Sequence, residues 1–484
     1  MKLHLPSIAL SLALLAGARA AERPQPNIVL ILADDLGWSD VGFQGAKLNA
    51  TPVLDQLARE GVVFSQFYAT PTCAPSRAVL LTGQYGPRHG NYSVDAFAGT
   101  PPALKRVVGE RSTMRLKATT RTLADILRAA GYDTALIGKW HLGAGEGNRA
   151  EDHGFAVNIG GGNAGHTESY FAPYGGEIPL TPKKPGEYLT DRLTDEALDF
   201  IGRARAKPFF LYYASYAVHV PLHAREKFMP PASGEPASND PVPPYVAMVR
   251  HLDYSIGRLI EALQALPKDR ETIVVFASDN GGQLIDTSNL PLRGQKGTVY
   301  EGGIRVPAIF WAPGRIPAGR TTATPAALQD LLPTCAAWAG APLPAQPVDG
   351  LDLAPALRGE PLAREALFWH LPNYTGNLKT NARVWQPPVS VIRRGDWKLI
   401  EHLDEPKVEL YNLVRDLGEQ QDCAATEPVL VQSLTAQLHA WQRAVNAPRP
   451  TEPNPRFDAA AAADLGRANR RDPDEWRRSV KILP

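Results

Sequence analysis

The run Asn27-Ile28-Val29-Leu30-Ile31-Leu32-Ala33 is apolar along its whole length after the first residue. Such a segment predicts a parallel strand buried on both faces. Thr51-Pro52 opens a helical pattern on Leu54, Leu57 and Ala58 that stops at Gly61, since Pro suits a first turn and Gly an end. Val62-Val63-Phe64 reads as a strand, Thr122 to Ala130 as an amphipathic helix closed by Gly131, and Thr134 to Ile137 as the next strand. A helix from Leu189 to Ala206, a strand from Phe209 to Tyr213, a long helix from Pro244 to Leu266 and a strand from Thr272 to Phe276 continue the alternation. Val306 to Phe310 is a further strand, with Pro307 marking an irregular or edge position. Strands alternating with helices predict an α/β fold with a doubly wound, mostly parallel sheet.

The pattern changes after the proline-rich stretch Pro342 to Pro347. Phe368-Trp369, Ser390 to Arg393, Trp397 to Ile400 and Val408 to Tyr411 are short strands separated by turn signals such as Gly395-Asp396. They predict a small C-terminal antiparallel sheet, with a packing helix from Pro428 to Val445. The expected organisation is a large domain over 21–345, an antiparallel subdomain over 346–446 and a tail over 447–484. The tail is proline-rich, then alanine- and arginine-rich, a composition that predicts partial disorder.

Met1 to Ala20 carries Lys2 and His4 ahead of an apolar stretch, Ile8 to Leu15, and ends on Ala18-Arg19-Ala20. This reads as a secretory signal peptide cleaved after Ala20, too short for a bilayer span of about 20 residues. The expected location is periplasmic or secreted, without a stable membrane span. Across 484 residues, 51 Lys and Arg oppose 50 Asp and Glu, a net charge of +1. No global basic field points to nucleic acid, so an anionic substrate must be met locally. The three cysteines are Cys73, Cys335 and Cys423, too few for a disulfide scaffold. Cys335 and Cys423 are free to pair in an oxidising compartment, which leaves Cys73 with a separate fate.

Ligands of open parallel sheets gather beyond the carboxyl ends of the strands. Here Asp34 and Asp35 follow the first strand, Lys139 and His141 follow Ile137, His219 follows the Tyr213 strand, and Asp279 and Asn280 follow Phe276. Asp34, Asp35, Asp279 and Asn280 offer oxygen ligands only, the donor set of a hard cation, and calcium suits several protein oxygens better than magnesium. Asp34 or Asp35 alone would serve equally as a helix cap. Lys296, in Arg293-Gly294-Gln295-Lys296-Gly297, has the simpler reading of a solvated loop lysine, and His219 that of a structural histidine.

In Thr72-Cys73-Ala74-Pro75-Ser76-Arg77, proline suits a first helical turn, and Gly83 after Val79-Leu80-Leu81 suits its end. Cys73 is thereby expected at a helix N-terminus that favours an anion, with Arg77 one turn on. The thiol reads either as a reactive nucleophile or as a buried structural cysteine.

Cys73-Ala74-Pro75-Ser76-Arg77 with Leu81-Thr82-Gly83 resembles the signature of type I sulfatases, bacterial arylsulfatases and N-acetylgalactosamine-6-sulfatase-like members among them. Asp34-Asp35-Leu36-Gly37-Trp38, Gly138-Lys139-Trp140-His141-Leu142-Gly143, Ser278-Asp279-Asn280-Gly281-Gly282 and Gly302-Gly303-Ile304-Arg305-Val306-Pro307 match the same family. Gly395-Asp396-Trp397-Lys398-Leu399 and Glu409 to Leu413, with Gly418-Glu419, resemble its small C-terminal domain, Leu417 standing where a proline is usual. The resemblance implies an alkaline-phosphatase-like sandwich and hydrolysis of sulfate esters. It implies that a maturation enzyme oxidises Cys73 to formylglycine, and that Asp34, Asp35, residue 73, Asp279 and Asn280 bind one Ca2+. Arg77, Lys139, His141, His219 and Lys296 then form the sulfate pocket. His219, with Lys296, protonates the leaving oxygen, and His141 takes the proton that frees sulfate. The working substrate is a carbohydrate sulfate, with His166, Trp369-His370 and Asn373-Tyr374 as candidate lining, since aromatic and amide groups suit sugar faces and hydroxyls. The rivals are a phosphatase, phosphodiesterase or phosphonate monoester hydrolase on the same sheet, and a noncatalytic sugar-binding protein with unmodified Cys73.

Overall fold

Fifteen strands form in the computed structural model, which describes residues 24–94, 101–203, 206–231, 240–267, 271–375 and 386–468. The expected leader over 1–20 and the end of the expected tail, from 469, lie outside the described residues. In chain order the strands are β1 (Asn27–Ala33), β2 (Val62–Phe64), β3 (Phe67–Tyr68), β4 (Asp133–Gly138), β5 (Val157–Ile159), β6 (Phe209–Ala214) and β7 (Thr272–Ser278). Then come β8 (Arg305–Val306), β9 (Ala308–Trp311), β10 (Arg320–Thr322), β11 (Ala326–Ala327), β12 (Leu367–Leu371), β13 (Val389–Arg394), β14 (Trp397–His402) and β15 (Val408–Asn412).

Eight strands make the central sheet, in the order β10-β2-β9-β7-β1-β6-β4-β5. All pairs are parallel except those of β9, which runs antiparallel to β2 and β7. The unbroken apolar run of β1 has the expected cause, because its residues alternate between two layers. Ile28, Leu30 and Leu32 pack with the Cys73–Thr82 helix. Val29, Ile31 and Ala33 pack with helices Leu189–Gly202 and Pro243–Gln264. The Leu123–Ala129 helix starts at a capping box, in which Thr122 and Asp125 satisfy each other's backbone N–H groups.

One expected strand is two. Pro307 divides Val306–Phe310, so that β8 joins a small sheet with β3 and β11 while β9 enters the central sheet. Proline has no N–H for a ladder, which suits the crossing point.

The C-terminal sheet, β12-β13-β14-β15, is antiparallel throughout. Val389, Val391, Ile400 and Tyr411 pack against Tyr68 and Ile304 of the larger layer. Ile392, Leu399 and Leu410 on its other face meet Leu434 and Leu438 of helix Pro428–Ala444. The start of the tail departs from the expected disorder. Val108 N–H donates to Glu452 O at 2.9 Å, Asn454 N–H to Arg106 O at 2.9 Å, and Asp458 N–H to Ala103 O at 2.8 Å, and a helix spans Ala459–Ala468. No helix among the described residues is long and apolar enough to cross a membrane.

Candidate active site

The four strands whose exits carry polar clusters, β7, β1, β6 and β4, are consecutive neighbours in the sheet. Their carboxyl ends therefore converge on one rim. At β4 the turn requires glycine: Gly138 has φ 112°, and a Cβ there would sit 1.9 Å from Ala214 O. Lys139 follows at once, its N–H bonded to that same carbonyl at 2.7 Å. Asp35 and His141 hold left-handed backbone, φ 61° and 58°, a conformation that costs a non-glycine residue on the order of 1 kcal/mol and clusters at functional sites. The Cys73–Thr82 helix brings its N-terminus to this rim and ends on Gly83 at φ 66°.

Every residue in the cluster is engaged. Lys139 Nζ lies 2.5 Å from Asp34 Oδ2. Arg77 donates to Asp279 Oδ2 at 2.7 Å and to the Lys139 carbonyl at 3.0 Å, with its Nη2 3.5 Å from Asp34. Its guanidinium thus braces the carboxylates. Lys296 Nζ donates to Asp35 Oδ2 at 2.7 Å, and His219 Nε2 stands 3.5 Å from the same oxygen. Asn280 Nδ2 donates to Asp35 Oδ1 at 2.8 Å. Cys73 Sγ is 3.4 Å from His141 Nδ1.

Burial sets the protonation states. It opposes the charge on Asp35, yet Lys296, His219 and Lys139 hold that carboxyl well below the usual carboxylate range. Asp279 is pushed up to about 6 by burial and by the Asp34 carboxylate, against Arg77. Burial, then Lys139 and Arg77, keep His141 well below the ordinary histidine value. His219 falls to about 3 through burial and the Lys296 charge, against the pull of Asp35. For Cys73 burial raises the thiol, outweighing Lys139 and Lys296. Unmodified, this residue is a neutral thiol and not the thiolate nucleophile that its helix position suggests.

Two buried oxygens, Asp34 Oδ1 and Asn280 Oδ1, have no hydrogen-bond partner. A buried acceptor left unpaired is costly. Ligand atoms of Asp34, Asp35 and His219, and of Asp34, Cys73 and Asp279, lie within 4.8 Å of one another. Three carboxylates and an amide oxygen, with one acceptor left open on Asp34 and one on Asn280, fit a hard cation.

The remaining expected residues divide. His166 is exposed and stacks on His219, centroids 6.0 Å apart and planes at 18°, at the mouth of the cluster. His370 and Tyr374, also expected as lining, have their polar atoms engaged within the protein. Both nitrogens of the His370 ring are taken, by Ser390 Oγ at 2.5 Å and Pro448 O at 2.8 Å. The Tyr374 hydroxyl donates to Asp404 and accepts N–H groups from Arg106 and Val107. Trp369 Nε1 donates to Ala69 O and Asn373 Nδ2 to Ser93 Oγ. Trp369, Asn373 and Tyr374 thereby fasten the C-terminal sheet to the main layer, while His370 joins β13 to the start of the tail. Cys335 and Cys423, like Cys73, are free thiols.

Sequence reasoning missed Gln283, whose Nε2 donates to Asp35 Oδ2 at 3.0 Å. Its only signal is its place after Gly281-Gly282. Asp286 was missed as well; burial and the Asp35 charge push it up to about 7.

An α/β sheet that gathers acidic oxygens, buried cations and two histidines around a helix N-terminus defines an enzyme class that holds an anionic ester in a charged pocket. The sulfatase family model matches residues 26–341, and the chain belongs to the sulfatase family, as a sulfuric ester hydrolase. The chain is 37% identical over 451 residues to the N-acetylgalactosamine-6-sulfatase of Canis lupus familiaris, covering 84% of this chain and 83% of the relative. It is 39% identical over 404 residues to the arylsulfatase A of Homo sapiens, covering 76% and 75%. The crystal structure of Ps i-CgsB in complex with k-i-k-neocarrahexaose matches with a TM-score of 0.72 at 28% identity, covering 92% of this chain and 97% of that one.

Proposed function

We propose that this sulfatase hydrolyses carbohydrate sulfates, with residue 73 matured to formylglycine and one Ca2+ held by Asp34, Asp35, Asp279 and Asn280 beside residue 73. The observation that carries the reading is the pair of unpartnered buried oxygens, Asp34 Oδ1 and Asn280 Oδ1, in the cluster that holds Cys73, Lys139, Lys296 and His141. Calcium supplies positive charge that polarises a sulfuryl group, and hydrated formylglycine supplies one hydroxyl for attack on sulfur and a second for release of sulfate.

The chain's own residues do the rest. Lys139 and Lys296 neutralise sulfuryl oxygens in a buried setting, where fixed charges act strongly. Arg77 holds Asp279 and the Lys139 backbone in place for them. His219, assisted by Lys296, donates a proton to the leaving oxygen, and the negative charge of an arriving sulfate favours its protonated form. His141, neutral and facing residue 73, accepts the proton whose removal frees sulfate. A serine or cysteine at 73 lacks a second hydroxyl and so has no such exit.

The carbohydrate reading is supported by relatives named for N-acetylgalactosamine 6-sulfate and by a structural neighbour solved with a neocarrahexaose. His166 on His219 is the group placed to meet a sugar. Division into a catalytic domain over 21–345, a C-terminal subdomain over 346–446 and a tail from 447 accompanies this reading. So do export through the leader over 1–20 and maturation of Cys73 by a separate enzyme. The test is a panel of defined sulfated saccharides beside aryl sulfate and aryl phosphate. Cleavage of a saccharide sulfate, with aryl sulfate preferred to aryl phosphate, is expected. Preference for aryl phosphate, or turnover of alkyl sulfates alone, would contradict it.

A further inference from the structure

Lys296 rides on the loop between β7 and the short helix Glu301–Ile304. Both ends of the 293–301 stretch are tied to one residue of the C-terminal subdomain, Glu419, which follows β15. At the start, Arg293 Nη1 donates to the Glu419 carbonyl at 2.8 Å and to Tyr411 Oη at 3.0 Å, while its guanidinium lies over the Tyr300 ring 3.8 Å from the centroid. At the end, the Glu301 N–H donates to Glu419 Oε2 at 2.7 Å. The other carboxylate oxygen, Oε1, lies 2.8 Å from Lys398 Nζ, which also donates to Glu301 Oε1 at 3.0 Å. Gly302 N–H closes the loop on Arg293 O at 2.6 Å. Glu301, Lys398 and Glu419 are wholly buried, and Glu419 has left-handed backbone at φ 52°. Between the two anchors, Lys296 Nζ reaches Asp35 Oδ2 at 2.7 Å.

We propose that Glu419 is a positioning residue for the sulfatase reaction: by clamping both ends of the 293–301 loop it sets where Lys296 Nζ meets the sulfuryl group. The proposal rests on the reading of Lys296 as a sulfate-pocket lysine. Its chemistry is local. The Glu419 carbonyl fixes a guanidinium, its carboxylate fixes a backbone N–H, and Lys398 neutralises the charge shared by Glu301 and Glu419. A displacement of about 1 Å at such a distance from the chemistry can cost about a hundredfold in rate.

The test compares Glu419→Ala, Glu419→Gln, Arg293→Met and Lys296→Met by the inhibition constant of inorganic sulfate, which does not depend on the fraction of active enzyme. Glu419→Ala and Arg293→Met are expected to raise that constant about tenfold, the loss of one charge-assisted hydrogen bond. Amide exchange over 293–302 should quicken in both. Glu419→Gln keeps an acceptor for the Glu301 N–H and should restore most of the affinity. On a Lys296→Met background, Glu419→Ala should add nothing further. If Glu419→Ala does not fold, the half-buried Arg293→Met carries the same comparison. A normal constant in folded Arg293→Met and Glu419→Ala, with a raised one in Lys296→Met, overturns the positioning role alone. So does an additive effect on the Lys296→Met background. An unchanged constant in Lys296→Met removes the sulfate-pocket reading itself, and the proposal falls with it.

Discussion

His141 Nδ1 faces Cys73 Sγ across 3.4 Å, and both side chains are buried. Burial favours the neutral form of each, so the pair is a thiol beside an imidazole free of its second proton. A base held neutral next to residue 73 suits removal of a hydroxyl proton there, while burial keeps an unmodified Cys73 in its thiol form.

Cys73→Ala and Cys73→Ser should fold as the parent does, since Cys73 contributes only a small buried side chain to the helix start. Turnover of aryl sulfate should fall by about 10⁴-fold or more, the scale on which loss of a nucleophile acts. Steady-state assay with circular dichroism checks both halves. Multiple turnover by folded Cys73→Ala near the parental rate would remove residue 73 from the chemistry.

Thorough chelation should lower both activity and melting temperature, and calcium should restore both. Three buried carboxylates and the open oxygens of Asp34 and Asn280 lie in this cluster, and an ion bound only by the folded state adds about 2.7 kcal/mol at a hundredfold excess over its Kd. Asn280→Ala should shrink the calcium-dependent rise in melting temperature. A melting temperature indifferent to chelator and to calcium would speak against the ion.

His370 gives a pH prediction distant from the reaction. Burial pushes it down to about 4, against the Pro448 carbonyl, from an ordinary 6.5. Between those values the unfolded chain binds a proton that the folded His370 refuses. Stability therefore rises with pH across that window and is lost as pH falls, by about 3 kcal/mol at its lower end. His370→Gln should flatten this part of the melting profile between pH 6.5 and 4 and leave KM for sulfated saccharides unchanged. A raised KM would return His370 to the substrate pocket.

His166→Ala should raise KM for a sulfated saccharide several-fold more than for a small aryl sulfate, because His166 stands exposed on the His219 ring and not in the buried cluster. Equal effects on the two substrates would place its role at the sulfate itself.

The central sheet was legible because a doubly covered parallel strand leaves an unbroken apolar run, as in β1, and because its exits carry charged pairs that have few structural uses. Asp34, Lys139, Asp279 and their companions meet because their strands are neighbours, an order that the sequence does not spell out. Gln283 was not legible, since a single amide in a loop has no pattern of its own. The polar partners of His370 and Tyr374 were hidden for a related reason. A histidine and a tyrosine beside a tryptophan look like a sugar site, and only the fold shows their polar atoms spent on Ser390, Pro448 and Asp404. The tail's composition hid its pairing with residues 103–108, which rests on backbone groups that any sequence possesses.

Peptide mass spectrometry of the segment carrying Cys73, from enzyme produced together with its maturation machinery, tests the central claim most directly. Conversion of the CH2SH group to an aldehyde predicts a mass about 18 Da below that of the cysteine peptide, with the converted fraction tracking specific activity. A fully active preparation whose residue 73 is entirely unmodified cysteine would contradict the account.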